Sequence, residues 1–440
     1  MQTLLKLSLL FVCMSLFPLA AADEPKAPRN VILMIGDGMG FNQLVSARYL
    51  KGPLAVENMK HMGVSHTHSL SSHVTDSSAS ATALASGYLI VNGEVGMHPD
   101  GTPTKLIVEY AEEQGKWTGL VATCRITHAT PASMVAHLKS RGSEDDIAVQ
   151  IAQSEVDVIL GGGWDKFLPG LEQKNRLDLP PLPIDTALLK DAESLFASFR
   201  DHRERSMPVT AEVPLLKNNA PYGTRTDGRN LIGEMTARGY RFIRTGAELS
   251  LITSGPPGKV LGLFHSGPMA KVSEGRTPSL SAMSVAALKI LSQSPKGFFL
   301  MIEGSQIDWG GHANDFDYTQ NEAADFDTAI GAVLRHLKDN DMENETLVVI
   351  TADHETGGLS LNGHPQLALG MEPKWTTTSH TGAPVPVFSA GPLAEQFLGI
   401  QDHERIGRRL IEAVVGSRVQ FRYPPSPPSA PTAMPPSRRF

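Results

Sequence analysis

The sequence predicts a doubly wound α/β fold: one large domain with a mostly parallel central sheet and helices on both faces. Two observations predict it. Strand-length apolar runs recur along the chain, continuous rather than alternating, which is the pattern of strands covered on both faces. Segments of helical period lie between these runs, so strand and helix take turns. The first run, VILMIG at 31–36, ends in Gly-Asp-Gly. SSASATALASG (77–87) and TKLIVEYAEEQG (104–115) read as helices, and TGLVAT (118–123) as the next strand. The helix SEDDIAVQIAQS (143–154) and the strand VDVILGG (156–162) continue the alternation. From 165 to about 225 the rhythm breaks, and clustered Pro180, Pro181 and Pro183 with mixed charge mark an insertion over one sheet edge. The rhythm then resumes with KVLGLF (259–264), helix SLSAMSVAALKILSQ (279–293), FFLMIEG (298–304), helix NEAADFDTAIGAVLRHLKD (321–339), TLVVITAD (346–353) and PVPVFSAG (384–391). Met283, Ala286, Leu288 and Leu291 form a core stripe on their helix.

The 440 residues are 41% hydrophobic and 19% charged, which excludes collagen, long coiled coil and wholesale disorder. A net charge of −7 argues against a nucleic-acid binder, since phosphate backbones demand clustered Lys and Arg. Residues 1–22 carry one base, Lys6, then an apolar run and three alanines. This is the pattern of a cleavable secretory signal, too short for a bilayer span. Export to the periplasm or outside the cell is therefore expected, with no stable membrane insertion after cleavage. The only cysteines are Cys13, inside that leader, and Cys124, so the mature chain has no intramolecular disulfide available to it. Residues 418–440 hold four Arg, no acid and many Pro, and are expected to be a disordered tail. The folded body is expected to span 23–417.

Ligands of an open α/β sheet bind beyond the carboxyl ends of its strands. Asp37 follows the first strand candidate, Glu303 ends another and is followed by Asp308 and His312, Asp353-His354 end a third, and His380 precedes the last. A strand-end Asp is ordinarily a turn former or helix cap. Carboxylates and imidazoles arriving from several strand ends suit divalent metals instead: histidine and carboxylate for zinc, an all-oxygen set for magnesium. Ser77 lies near the start of a small-residue helix, where exposed N–H groups favour a phosphate oxygen or an alkoxide. The plain reading of that serine cluster is an N-cap. Cys124 reads as a buried strand-end residue.

The segments NVILMIGDGMG, VTDSSASATA, HATPASMVAHLKSR, FFLMIEGSQIDWGGH, TLVVITADHETGG and SHTG, in this order, resemble alkaline phosphatases. The likeness runs from about Asn30 to Gly416, apart from much of 165–225. It implies hydrolysis of phosphate monoesters through a covalent phosphoserine at Ser77, with two zinc ions and one magnesium ion. Asp308, His312 and His380 would hold one zinc, and Asp37, Asp353 and His354 the other. Asp37 would also reach the magnesium, completed by Thr130 and Glu303. Arg141 would clamp two phosphate oxygens, steadied by Asp76. Two positions depart from the family's best-known pattern: His128 stands where an Asp arranges the magnesium's water shell, and Trp309 where a Lys reaches phosphate through water. A His at 128 leaves zinc as the alternative occupant of the third site. The partners implied are small phosphorylated substrates and, as is common in the family, a second copy of the chain. The competing readings are another hydrolase of the same superfamily, such as a phosphodiesterase, and a non-catalytic exported protein that binds phosphate or metal.

Overall fold

The computed structural model describes residues 27–170, 223–253, 258–363 and 371–423. The expected signal segment, residues 171–222 of the insertion and the tail beyond 423 lie outside them. The strands are β1 (Asn30–Gly36), β2 (His61–His66), β3 (Trp117–Arg125), β4 (Val158–Gly162), β5 (Arg241–Ile243), β6 (Val260–Leu263), β7 (Phe298–Gly304), β8 (Thr346–Thr351), β9 (Glu355–Thr356), β10 (Ser360–Gly363), β11 (Met371–Lys374), β12 (His380–Thr381), β13 (Val385–Ala390) and β14 (Gly399–Asp402). Ten of them form one sheet in the order β14-β2-β13-β8-β1-β7-β3-β4-β6-β5. Within it only β13 runs against its neighbours. The mostly parallel sheet read from the apolar runs is thus present, and every run named above supplies a strand.

The helices are α1 (Phe41–Lys51), α2 (Ser77–Ser86), α3 (Ile107–Glu113), α4 (Ala129–Ala132), α5 (Glu144–Gln153), α6 (Leu231–Ala237), α7 (Gly246–Ile252), α8 (Leu280–Leu291), α9 (Gln306–His312), α10 (Phe316–Asp339) and α11 (His403–Val415). They cover both faces. Val31, Leu33 and Ile35 of β1 pack with residues of α2, α3 and α11, whereas Ile32 and Met34 pack with residues of α1, α8 and α10. This period-2 division of one wholly buried strand is why the run carries no polar alternation. The core stripe of α8 is buried.

The structure differs from the sequence pattern at one helix start, in several additional helices and at the start of the tail. Helix α10 starts at Phe316 rather than 321, because Asp315 caps it by accepting from the Tyr318 amide at 3.0 Å. Helices α1, α4, α6, α7, α9 and α11 fall where no helix was assigned. The tail does not begin at 418 among the described residues. Phe421 and Tyr423 meet Tyr88 edge-on at 5.9 and 5.0 Å, and Tyr423 donates to Glu404 at 2.7 Å, so aromatic anchors hold 418–423 on the body. The insertion leaves and returns at one place: the Gly170 amide donates to Arg225 O, and the Gly223 amide to Pro169 O, each at 2.9 Å.

Helix α2 is buried on every side and built from Ser, Ala, Thr and Leu, which lets α11 approach it closely. At the crossing, a Cβ on Gly407 would stand 2.2 Å from Ala83 O and 2.8 Å from Leu84 O, both backbone atoms. Gly407→Ala should therefore cost about 1–3 kcal/mol through overpacking and push on the helix that carries Ser77. Thermal unfolding that matches the parent would contradict this close-packing account.

Candidate active site

The parallel strands β8, β1, β7 and β3 lie side by side, so their carboxyl ends open at one place. Register aligns them closely: Ile35 of β1 pairs with Glu303 of β7 and Thr351 of β8, and Ala122 of β3 also pairs with Glu303. Asp37 and Asp353 follow directly, and Asp308 comes from α9. All four carboxylates are buried. The turn after β1 needs a glycine. Gly38 has φ +75°, a Cβ there would fall 2.6 Å from the Asp308 Cα, and its amide donates to Asp353 Oδ1 at 3.1 Å.

Asp308, His312 and His380 form the first cluster. The two Nε2 atoms are 3.1 Å apart, and they lie 3.3 and 3.5 Å from Asp308 Oδ1. Around an ion with bonds of about 2.0–2.1 Å, tetrahedral ligand atoms stand roughly 3.3–3.4 Å apart, so three corners are in place and a fourth is open. The histidine tautomers follow from their other nitrogens. His312 Nδ1 meets the Thr378 carbonyl at 2.7 Å and His380 Nδ1 the Thr75 carbonyl at 2.9 Å. A carbonyl only accepts, so both Nδ1 atoms carry protons and the Nε2 atoms are the nitrogens turned toward Asp308. The Asp308 carboxylate pulls His312 up to about 9. His380 itself is held in register by the short β9–β12 ladder, where it pairs with Thr356.

Ser77, His354, Asp37 and Asp353 form the second. His354 Nε2 stands 3.1 Å from Ser77 Oγ, 3.1 Å from Asp353 Oδ2 and 3.6 Å from Asp37 Oδ1. Its tautomer is set by a residue the sequence analysis did not single out. The Thr356 hydroxyl donates to Asp308 Oδ1, so toward His354 Nδ1, at 3.2 Å, it can only accept. That leaves Nε2 as the nitrogen facing the carboxylates. Thr356 was legible only as a neighbour of Asp353-His354 in ITADHETGG. Asp308 also closes on Asp37 and His354, within 4.8 Å, so the two clusters share a wall. Burial, together with the charges of Asp353, Asp308 and Glu303, raises Asp37 well above the ordinary carboxylate range. For Asp353 burial acts in the same direction, but the His354 charge and hydrogen bond, the Gly38 amide and the His380 charge together outweigh it and hold the carboxyl low.

Glu303, Thr130 and His128 meet in the third cluster, and Cys124 joins them: Cys124, His128 and Glu303 offer ligand atoms within 4.8 Å of one another. Burial lifts Glu303 to about 7, while burial and the Arg141 charge push His128 down to about 4, which keeps that ring neutral and able to ligate. Burial and Glu303 raise the Cys124 thiol well above its usual value, so it is no nucleophile. Trp309 touches His128 edge-on at 5.9 Å.

The donor sets fit divalent cations. Both oxygens of Asp37, Oδ2 of Asp353, Oε1 of Glu303, Oγ1 of Thr130 and Nδ1 of His128 are buried without hydrogen-bond partners. Buried polar atoms are ordinarily paired, and these six unpaired ones meet around one place at the carboxyl end of the sheet.

The serine is not the cap of its helix. Asp76 is: its Oδ1 accepts from the Ala79 amide at 2.9 Å, and its Oδ2 from Ser78 Oγ at 2.8 Å, the Gly93 amide at 3.0 Å and Arg141 Nη1 at 3.2 Å. Ser77 therefore occupies the first helical position with its hydroxyl turned to His354. Arg141 Nη2 also lies 3.4 Å from His128 Nε2. Asp76→Ala should cost about 1 kcal/mol of stability as a lost N-cap and weaken competitive inhibition by inorganic phosphate by freeing Arg141. An unchanged inhibition constant would separate Asp76 from Arg141.

Residues 28–374 match the family model for alkaline phosphatase. Alkaline phosphatase 4 of Bacillus subtilis is 32% identical, over 87% of this chain and 88% of its own. The solved structure of alkaline phosphatase from the Antarctic bacterium TAB5 superimposes with a TM-score of 0.73 at 32% identity, covering 90% of this chain and all of the other. A histidine-to-aspartate variant of the TAB5 enzyme, solved with magnesium bound in its M3 site, aligns with a TM-score of 0.71 at 31% identity over the same shares of the two chains. The chain belongs to the alkaline phosphatase family, enzymes that hydrolyse phosphoric monoesters.

Proposed function

We propose that the chain hydrolyses phosphate monoesters through a covalent phosphoserine at Ser77, in a centre of two zinc ions and a third ion. The observation that carries this reading is the placement of Ser77 Oγ 3.1 Å from His354 Nε2, beside the unpartnered oxygens of Asp37 and Asp353. Asp308, His312 and His380 would hold one zinc, Asp37, Asp353 and His354 the other, and Asp37, Thr130 and Glu303 a magnesium. When bound, these cations lower the cost of ionising the serine hydroxyl and stabilise charge on the entering and leaving oxygens.

The chain's own residues do the rest. The start of α2 presents free amides and a positive dipole end to the transferring phosphoryl group. Asp76 orients the Arg141 fork, whose planar donors match two phosphate oxygens. Ser77 Oγ gives up its proton and bonds to phosphorus as the bond to the ester oxygen breaks, and the leaving alkoxide takes a proton from water to become the alcohol. Water then attacks phosphorus, Ser77 is released and inorganic phosphate leaves. A diester carries one negative charge where a monoester carries two, so a centre of cations and a guanidinium fork favours monoesters. Export of the mature chain is part of this reading; it is supported by the composition of residues 1–22, and no helix among the described residues is long and apolar enough to cross a membrane.

The test is release of phosphate from an aryl monoester at alkaline pH, with Zn²⁺ and Mg²⁺ supplied, compared with an aryl diester and with Ser77→Ala. Monoester turnover should dominate and fall by several orders of magnitude in the variant. Retained turnover in Ser77→Ala, or a preference for the diester, would overturn the reading. A second outcome concerns Trp309, whose indole offers no charge to phosphate. Trp309→Lys should tighten inorganic phosphate inhibition roughly tenfold; an unchanged or weaker constant would count against a phosphate-facing position 309.

A further inference from the structure

We infer that Cys124 is itself a metal ligand: with His128 and Glu303 it makes the third position of the centre a thiolate site that takes zinc in preference to magnesium. The inference rests on the proposed function and refines its third ion.

The backbone places Cys124 there deliberately. Along β3, the pairing with β4 runs regularly to Val121↔Leu160 and resumes at Arg125↔Gly162, so β3 carries two extra residues across the stretch that contains Cys124. Such irregularities re-aim side chains, and they gather beside active sites. The displaced stretch is locked: the Thr123 and Cys124 amides donate to Ser305 Oγ at 3.2 and 3.0 Å, and the Ser305 amide returns a bond to Thr123 Oγ1 at 2.9 Å. Ser305 is two residues from Glu303, so one clasp fixes the thiol against that carboxylate.

The surroundings are those of a ligand rather than of a packed thiol. A buried structural cysteine behaves as a small hydrophobe, whereas Cys124 Sγ lies 3.2 Å from Glu303 Oε2 and 3.1 Å from Arg125 O, two acceptors for one S–H. Its neighbour Glu303 is fully buried and its Oε1 has no partner, and His128 Nδ1 has none either. Sulfur, nitrogen and oxygen within 4.8 Å of one another are the donor set of zinc. Magnesium, which requires oxygen ligands and sheds water reluctantly, gains nothing from a thiol. Charge agrees. Metal binding replaces the S–H bond by a metal–sulfur bond and sends the proton to solvent. The thiolate and the Glu303 carboxylate then offset the divalent ion, the neutral His128 imidazole adds no charge, and Asp37 is left to the neighbouring cluster with Asp308 and His354.

Cobalt is the probe, because a thiolate bound to Co²⁺ gives a near-ultraviolet charge-transfer band that imidazole and carboxylate ligands do not. The full chain is stripped of metal, loaded with Co²⁺, and compared with Cys124→Ser, Cys124→Ala and Cys13→Ser. The expected result is a charge-transfer band in the parent and in Cys13→Ser, absent from both Cys124 variants, which keep the visible bands of the histidine sites. Equilibration with Zn²⁺ and Mg²⁺ together should give about three zinc ions per chain in the parent and about two, with magnesium, in Cys124→Ser. A parent that binds cobalt and shows only visible bands would overturn the inference while leaving the two-zinc reading standing. So would a band that survives loss of Cys124. A parent that binds neither cobalt nor zinc would overturn both. The parent's own spectrum decides the matter even if the Cys124 variants fail to fold.

Discussion

Four buried carboxylates held against one another at the ends of neighbouring strands are the constraint from which the rest of this structure follows. Asp37, Glu303, Asp308 and Asp353 are at most 4% exposed, and three of them face Asp37 closely enough to raise its pKa. Left to itself, such a group is among the most costly arrangements a fold can contain, because burial and like charge act in the same direction. Histidines offset part of the cost, and they do so by protonation at some positions, as the pull of Asp308 on His312 shows. Full compensation needs several positive charges at the carboxyl edge of the sheet. Divalent cations supply them in the least volume, which is why structure and chemistry converge on the same point.

The surrounding architecture acts to keep lone pairs aimed inward. Backbone carbonyls of Thr75 and Thr378 and the hydroxyl of Thr356 each engage an Nδ1 atom, so His380, His312 and His354 all present Nε2 to the carboxylates. Because Thr356 bonds both His354 and Asp308, it couples the two clusters through one hydroxyl. Asp76 performs a similar double service on the other wall, capping α2 and holding Arg141. Capping by Asp76 rather than by the serine leaves the Ser77 hydroxyl free to face His354.

Much of this was legible in the sequence, for identifiable reasons. Strands buried on both faces leave continuous apolar runs, so β1, β3, β4, β6, β7, β8 and β13 stood out, and their final residues marked the site. The elements that did not stand out lack such a signature. Helix α1 exposes Phe41, Val45, Tyr49 and Leu50, which blurs its period. Strands β9 and β12 are two residues each and exist only as a ladder that fixes His380. Helix α11 does carry a period, through buried Ile406, Leu410, Ile411 and Val414, but it lies beyond the last strand of the alternation. The ligand types were readable one by one. What sequence spacing does not carry is the pairing across the sheet that brings Cys124 of β3 against Glu303 of β7, or the hydroxyl relay through Thr356. Both depend on register and on a local irregularity rather than on residue type.

If the carboxylate cluster is the organising constraint, metal binding and folding should be one equilibrium, since the ions would draw together residues as distant in sequence as Asp37 and Asp353. The most direct measurement is the thermal midpoint of the metal-replete chain against the same chain exhaustively stripped by chelator, at one pH and ionic strength. The account predicts a fall of roughly 10 °C on stripping, recovered on adding Zn²⁺ and Mg²⁺. Coincident midpoints would contradict it, because the four carboxylates would then be stable together without the cations.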